Sequence, residues 1–241
     1  MLNLLLIGGG EIGAPKVDGT YRPLETLTID QHFVESLDKQ HPNILFIPTA
    51  TEELDPEHMY EQGIQNLYGK KLGCFVDTLY LSPDITIQNM EDKLDWADGI
   101  YIGGGDTKHM MLRWKETGLD KLLKQAALSG KHIAGLSAGA MCWFEKVLVG
   151  KGEETTFIDG FGILKNTCMP HWNKHRFFMD LPIAQEIPFI AIDECAAIEI
   201  VGGDKISIIR SKEKASAFYC RIENGLKERQ IHLDDLRKER N

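Results

Sequence analysis

The chain reads as an α/β protein built on a mostly parallel sheet, with helices on both faces and antiparallel hairpins added late. Three observations predict this. Short apolar runs alternate with stretches of helical spacing from the first residues to about residue 140. Several runs end in glycine-rich turns. From about residue 187 the rhythm changes to closely spaced short strands with Gly202-Gly203-Asp204 between two of them, the mark of a hairpin.

Taken in order, Leu2–Ile7, Ile44–Ile47, Phe75–Leu81 and Gly99–Ile102 are predicted strands, each closed by Gly, Pro or polar residues. Between them Asp30–Gln40 and about Pro56–Tyr68 carry helical spacing. One long helix is predicted over about Thr107–Ser129, where Met110, Met111, Trp114, Leu119, Leu122, Leu123 and Ala126 recur at three- and four-residue steps as a core face. Lys131–Ala134 is a further short strand. Phe189–Ile192, Ala196–Val201, Lys205–Ile209 and Ala215–Tyr219 are the late strands, and the charged tail from His232 reads as a solvated helix or frayed end. No repeat or linker interrupts the chain, so residues 1–241 read as one domain.

Composition narrows the function. A formal charge of −9 argues against a nucleic-acid partner, whose phosphates need concentrated Lys and Arg. The five cysteines form no C-x-x-C pair and no zinc spacing, as expected of reduced, buried thiols in a cytoplasmic protein. The apolar run after Met1 is too short for a membrane span and lacks a basic flank. A cytoplasmic location, no membrane partner, no metal and no organic cofactor are expected; oligomeric state, monomer or homodimer, is left open.

Three glycine clusters follow strands. Gly8-Gly9-Gly10-Glu11-Ile12-Gly13 fits G-x-G-x-x-G, but Pro15, Gly19 and Pro23 prevent the helix that a dinucleotide site requires, which leaves a loop able to border a substrate cleft. Gly103-Gly104-Gly105-Asp106-Thr107 lies between a strand and the long helix; its amides can face an anion while Asp106 or Thr107 caps the helix. Gly135-Leu136-Ser137-Ala138-Gly139 has the G-x-S-x-G form of a nucleophile elbow, a tight strand-to-helix turn that lifts a serine hydroxyl clear of the backbone.

Those last two clusters, followed by Cys168-Met169-Pro170-His171-Trp172, resemble in order the dipeptidase E family of serine peptidases, which includes α-aspartyl dipeptidase, and the related cyanophycinases. Members look like G-G-G-N-T, then G-x-S-A-G-A, then an apolar strand ending in His. The likeness runs from the first strand to the hairpins near Ile200.

It implies a three-layer α/β/α sandwich of the class I glutamine amidotransferase kind and hydrolysis of small peptides by a dipeptidase or exopeptidase. Ser137 would be the nucleophile, His171 its general base, and the N–H groups of Gly105 and Ala138 the oxyanion hole. The chemistry is coherent, because serine needs a base to remove its proton and the oxyanion needs preorganised donors. For the acid, matching backward from Phe157-Ile158-Asp159-Gly160 selects Glu154, with Glu153 and Glu194 as alternatives. Two departures bear on the substrate. Asp106 replaces the family's Asn and, if it points inward, would hold an ammonium group. Downstream of His171 the basic candidates are Lys174, His175 and Arg176, of which Arg176 would bind a carboxylate; His175 also competes with His171 for the base.

An α/β-hydrolase esterase is the rival, with Ser137, Asp204 and His232 as its triad. A non-catalytic binding member of the same fold is a second alternative.

Overall fold

The computed structural model describes residues 1–51, 55, 57–150, 154–174, 187–223 and 225–237. The main sheet has seven strands. Five are parallel neighbours: β1 (Asn3–Ile7), β5 (His132–Leu136), β4 (Gly99–Ile102), β2 (Asn43–Ile47) and β3 (Phe75–Thr78), in that order. On the other side of β1 the hairpin β10 (Ala196–Val201) and β11 (Lys205–Arg210) is added antiparallel.

Alternation along the strands builds a core on each face. Leu5 and Ile7 point to one face, where α1 (Leu27–Glu35) and α2 (Met59–Ile64) lie. The latter continues as a π-helical segment through Gln65–Lys71. Leu4 and Leu6 point to the opposite face, packed by α3 (Ile87–Trp96), α4 (Thr107–Thr117), α5 (Leu119–Leu128) and the short α6 (Ala138–Met141). The predicted helix over Thr107–Ser129 is thus two helices. Gly118 takes φ 83° between them, ending one and opening the next.

A second sheet of six strands shares this larger core. It comprises β6 (Phe144–Val149), β7 (Thr156–Asp159), β8 (Leu164–Met169), β9 (Phe189–Ile192), β12 (Ala217–Ile222) and β13 (Leu226–Gln230). Strands β6, β8 and β9 run parallel, while β7, β12 and β13 are antiparallel additions. The late strands therefore divide between two sheets instead of extending one. The tail differs from expectation too: Leu233–Asp235 forms a single 3₁₀ turn and Leu236 is fully buried.

Candidate active site

The site forms where the carboxyl ends of strands from both sheets meet. Ser137 follows β5 directly, with φ 53° and ψ −105°, a strained conformation for a residue with a side chain. Its amide is tied to Ile7 O at 2.9 Å. The glycines around it are obligatory. A Cβ on Gly135 would stand 2.1 Å from Gly139 O, and one on Gly139 would stand 2.5 Å from Ile102 O.

His171 arrives from the other sheet, two residues beyond β8. Its backbone has φ 54°, and its N–H donates to Gly8 O at 2.9 Å. The ring lies between two partners: Nε2 is 3.0 Å from Ser137 Oγ and Nδ1 is 2.9 Å from Glu194 Oε1. An ionised carboxylate only accepts, so Nδ1 carries the hydrogen; in the neutral ring Nε2 then presents its lone pair to the serine hydroxyl.

Glu194 lies between β9 and β10. Its amide donates to Asn173 Oδ1 at 3.0 Å, and Lys174 Nζ approaches its Oε2 at 2.5 Å. Burial opposes its charge, but the Lys174 ammonium and the His171 hydrogen bond outweigh that and hold the carboxyl below its ordinary range.

The acid beside His171 is therefore Glu194 and not Glu154. Glu154 is exposed just before β7, where its carbonyl packs against Gly150 and the strand that follows pairs with β6. Glu153, His175 and Arg176 fall outside the described residues. Lys174 is engaged by Glu194 rather than aimed at a substrate.

The first glycine cluster carries more than the sequence reading assigned to it. Gly8 N donates to Ala196 O, Gly8 O accepts from His171 N, and Gly9 O accepts from Cys195 N at 2.9 Å. A Cβ on Gly9 would stand 2.3 Å from His171 Nδ1. Beyond it, residues 10–25 fold back as a small hairpin arm, bridged at Ile12–Leu24 and Pro15–Tyr21. The signal available was position alone: a glycine run at the carboxyl end of the first parallel strand.

Gly104 and Gly105 flank Ser137. A Cβ on Gly104 would lie 3.3 Å from the serine Cβ. Among the described residues, the amides of Gly105 and Ala138 donate to no acceptor. Asp106 serves as the cap of α4, its Oδ1 accepting from His109 N at 2.9 Å, and it borders a neighbouring hollow with Lys108 and Leu148 rather than the serine cleft. The Asp204–His232 alternative is not assembled. Asp204 sits in the β10–β11 turn, and His232 is exposed with its amide on Asp235.

Ser137 and His171 open into a cleft of about 540 Å³, walled by the hairpin arm, Tyr60, Met59 and the glycine turn. Arg22 lies in the wall, paired with Glu11 at 2.9 Å. The Asp55 carboxylate accepts from Met59 N and Tyr60 N at the start of α2. Among the described residues, no cluster of three or more His, Cys, Asp or Glu side chains could hold a metal ion.

The architecture is that of the class I glutamine amidotransferase-like α/β proteins. A peptidase from an acI-B1 Actinobacterium has the same fold, with TM-score 0.72 and 24% identity over 96% of this chain and 94% of that one. The model of peptidase family S51 matches residues 4–209, and the chain belongs to that family. It is a serine-type peptidase. Among similar sequences, the uncharacterized peptidase YgaJ of Bacillus subtilis (strain 168) is 27% identical, covering 90% of this chain and 91% of its own. Peptidase E of Shewanella sp. (strain W3-18-1) is 25% identical over 60% of this chain and 59% of its own.

Proposed function

We propose that this protein hydrolyses small peptides, as a dipeptidase or as an exopeptidase removing a residue next to a free amino terminus, through Ser137, His171 and Glu194. The observation that carries the proposal is the unbroken contact from Ser137 Oγ to His171 Nε2 at 3.0 Å and from His171 Nδ1 to Glu194 Oε1 at 2.9 Å. Ser137 Oγ attacks the scissile carbonyl as its proton passes to Nε2. The carbonyl oxygen becomes an oxyanion, held by the N–H groups of Gly105 and Ala138. Glu194 fixes the imidazole tautomer and stabilises the imidazolium. His171 then returns the proton to the leaving amine, and the acyl group stays on Ser137. A water that gives its proton to His171 releases the acid and restores the enzyme.

The cleft volume of about 540 Å³ suits a small ligand better than a folded protein. Five free, buried cysteines suit a reducing compartment, and we read the enzyme as cytoplasmic. Among the described residues no helix is long and apolar enough to cross a membrane.

A dipeptide library assayed with wild type and Ser137→Ala tests the reading. Turnover should vanish in the variant; equal turnover by both proteins overturns the mechanism. The preferred first residue, measured again in Arg22→Ala and Arg176→Ala, tells which of these cations meets a substrate carboxylate.

A further inference from the structure

The turn Gly103-Gly104-Gly105 has no side chains to brace it, yet the proposed chemistry needs the Gly105 amide aimed at one point. Glycine is the residue least able to hold such an orientation by itself. Its neighbours' amides show how the turn is fixed. Gly103 N donates to Ile47 O at 3.0 Å and Asp106 N to Ala50 O at 2.8 Å. Gly104 N donates to a side chain, the Tyr60 hydroxyl, at 3.3 Å. In this run Gly105 N is left without an acceptor among the described residues.

Tyr60 is itself held. Its ring meets Phe46 edge-on at 5.0 Å, and a Cβ on Gly103 would lie 3.0 Å from its Cε1. Behind it stands Tyr101, fully buried, whose hydroxyl interacts electrostatically with that of Tyr60 while meeting no partner at hydrogen-bond distance among the described residues. Tyr101 packs on Tyr68 at 5.3 Å between ring centroids. Tyr68 donates to Asp30 Oδ1 and Thr26 to Asp30 Oδ2, each at 2.7 Å. Thr26 in turn closes against Gly10, where a Cβ would stand 2.9 Å from Thr26 Cγ2. A strut of ring packing, hydrogen bonds and one methyl contact thus links one glycine loop to the other.

We propose that Tyr60 is a positioning residue: its hydroxyl, backed by this strut, fixes Gly104 so that the Gly105 N–H faces the carbonyl attacked by Ser137. The proposal rests on the reading of Ser137 as nucleophile and deepens it. Burial lifts the Tyr60 phenol to about 12, so the hydroxyl stays neutral and serves as an acceptor without charging the cleft.

The test is Tyr60→Phe, which keeps the ring and deletes the oxygen. It is assayed with the best dipeptide of the library, with an ester of its first residue, and with the matching thionoester. Sulfur accepts oxyanion-hole hydrogen bonds poorly, so the ester-to-thionoester rate ratio reads the aim of the donors. We expect kcat on the dipeptide and the ester to fall about tenfold, the loss of roughly one neutral hydrogen bond. KM should stay within about twofold, since the change acts on the transition state. The ester-to-thionoester ratio should shrink with kcat. A rise in KM alone, with kcat and the ratio unchanged, makes Tyr60 a wall of the cleft and overturns the proposal; so does no effect at all. Ser137→Ala, run alongside, separates the two ideas. An inactive Ser137→Ala beside a fully active Tyr60→Phe sinks the positioning role only, whereas an active Ser137→Ala sinks both. Should Tyr60→Phe melt early, amide exchange in ¹⁵N-glycine-labelled wild type decides: Gly104 must be protected, and rapid exchange there overturns the proposal.

Discussion

A methyl group on Gly9 would stand 2.3 Å from His171 Nδ1 and 3.1 Å from Glu194 Cγ, so the pairing of base and acid depends on a missing side chain. Gly9→Ala should push the imidazole off its line to Ser137 and lower kcat about a hundredfold, the usual cost of a displacement near one ångström. Steady-state kinetics on the preferred dipeptide checks this. The two candidate acids can be separated in the same assay. Glu194→Gln should reduce kcat on the order of 10³–10⁴-fold, because an amide no longer enforces the productive tautomer. Glu154→Gln, on an exposed turn, should leave kcat within about twofold. The pairing of Ser137 with His171, 3.0 Å apart, was legible from the elbow pattern and from the family likeness at Pro170-His171. Glu194 was not, because nothing in Asp193-Glu194 says which of the neighbouring carboxylates turns toward the histidine. That choice is made by Asp193 bonding back to Ser216 N while Asn173 and Lys174 hold Glu194.

Helix α1 buries Asp30 completely, and burial raises its carboxyl to about 6 despite hydrogen bonds from Tyr68 and Thr26. The ordinary value is 3.8, so the folded protein holds this proton more tightly than the unfolded chain does. The resulting penalty on the folded state is absent below about pH 4, grows between about pH 4 and 6, and is complete above, reaching roughly 3 kcal/mol. In urea melts across that range, Asp30→Asn should gain on wild type as pH rises; parallel curves would refute the assignment. A helix pattern shows where Asp30 lies but not what closes over it, since Tyr68 comes from the π-helical end of α2. The α4–α5 break was hidden for a related reason. Apolar residues continue in step across Gly118, and only its φ of 83° ends the first helix. Strands β6 and β7 were missed because they are short and half polar, their faces set by a sheet that residues remote in the chain complete.

Among the described residues the two sheets share the larger core, and the 3₁₀ turn at Leu233–Asp235 is fastened to the second of them. Leu236 is fully buried, Lys165 N donates to Leu236 O at 2.9 Å, and Arg229 grips both oxygens of Asp235. Leu236→Ala should therefore lower stability by about 2–5 kcal/mol, read from denaturant midpoints, although the cleft is untouched. The parallel sheet was readable from the alternation of apolar runs and helices. The second sheet was not, because its order, β13-β12-β9-β8-β6-β7, joins segments far apart in the chain. Pairing of β1 with β10, together with the bonds from Gly8 and Gly9 to His171 and Cys195, carries a consequence for biosynthesis. Translation delivers Ser137 long before Glu194, and the loop that seats the histidine gains its anchors only when Cys195 and Ala196 have left the ribosome. In a nascent chain, then, the proposed nucleophile would lie without its base and acid in place until residues 194–196 had emerged.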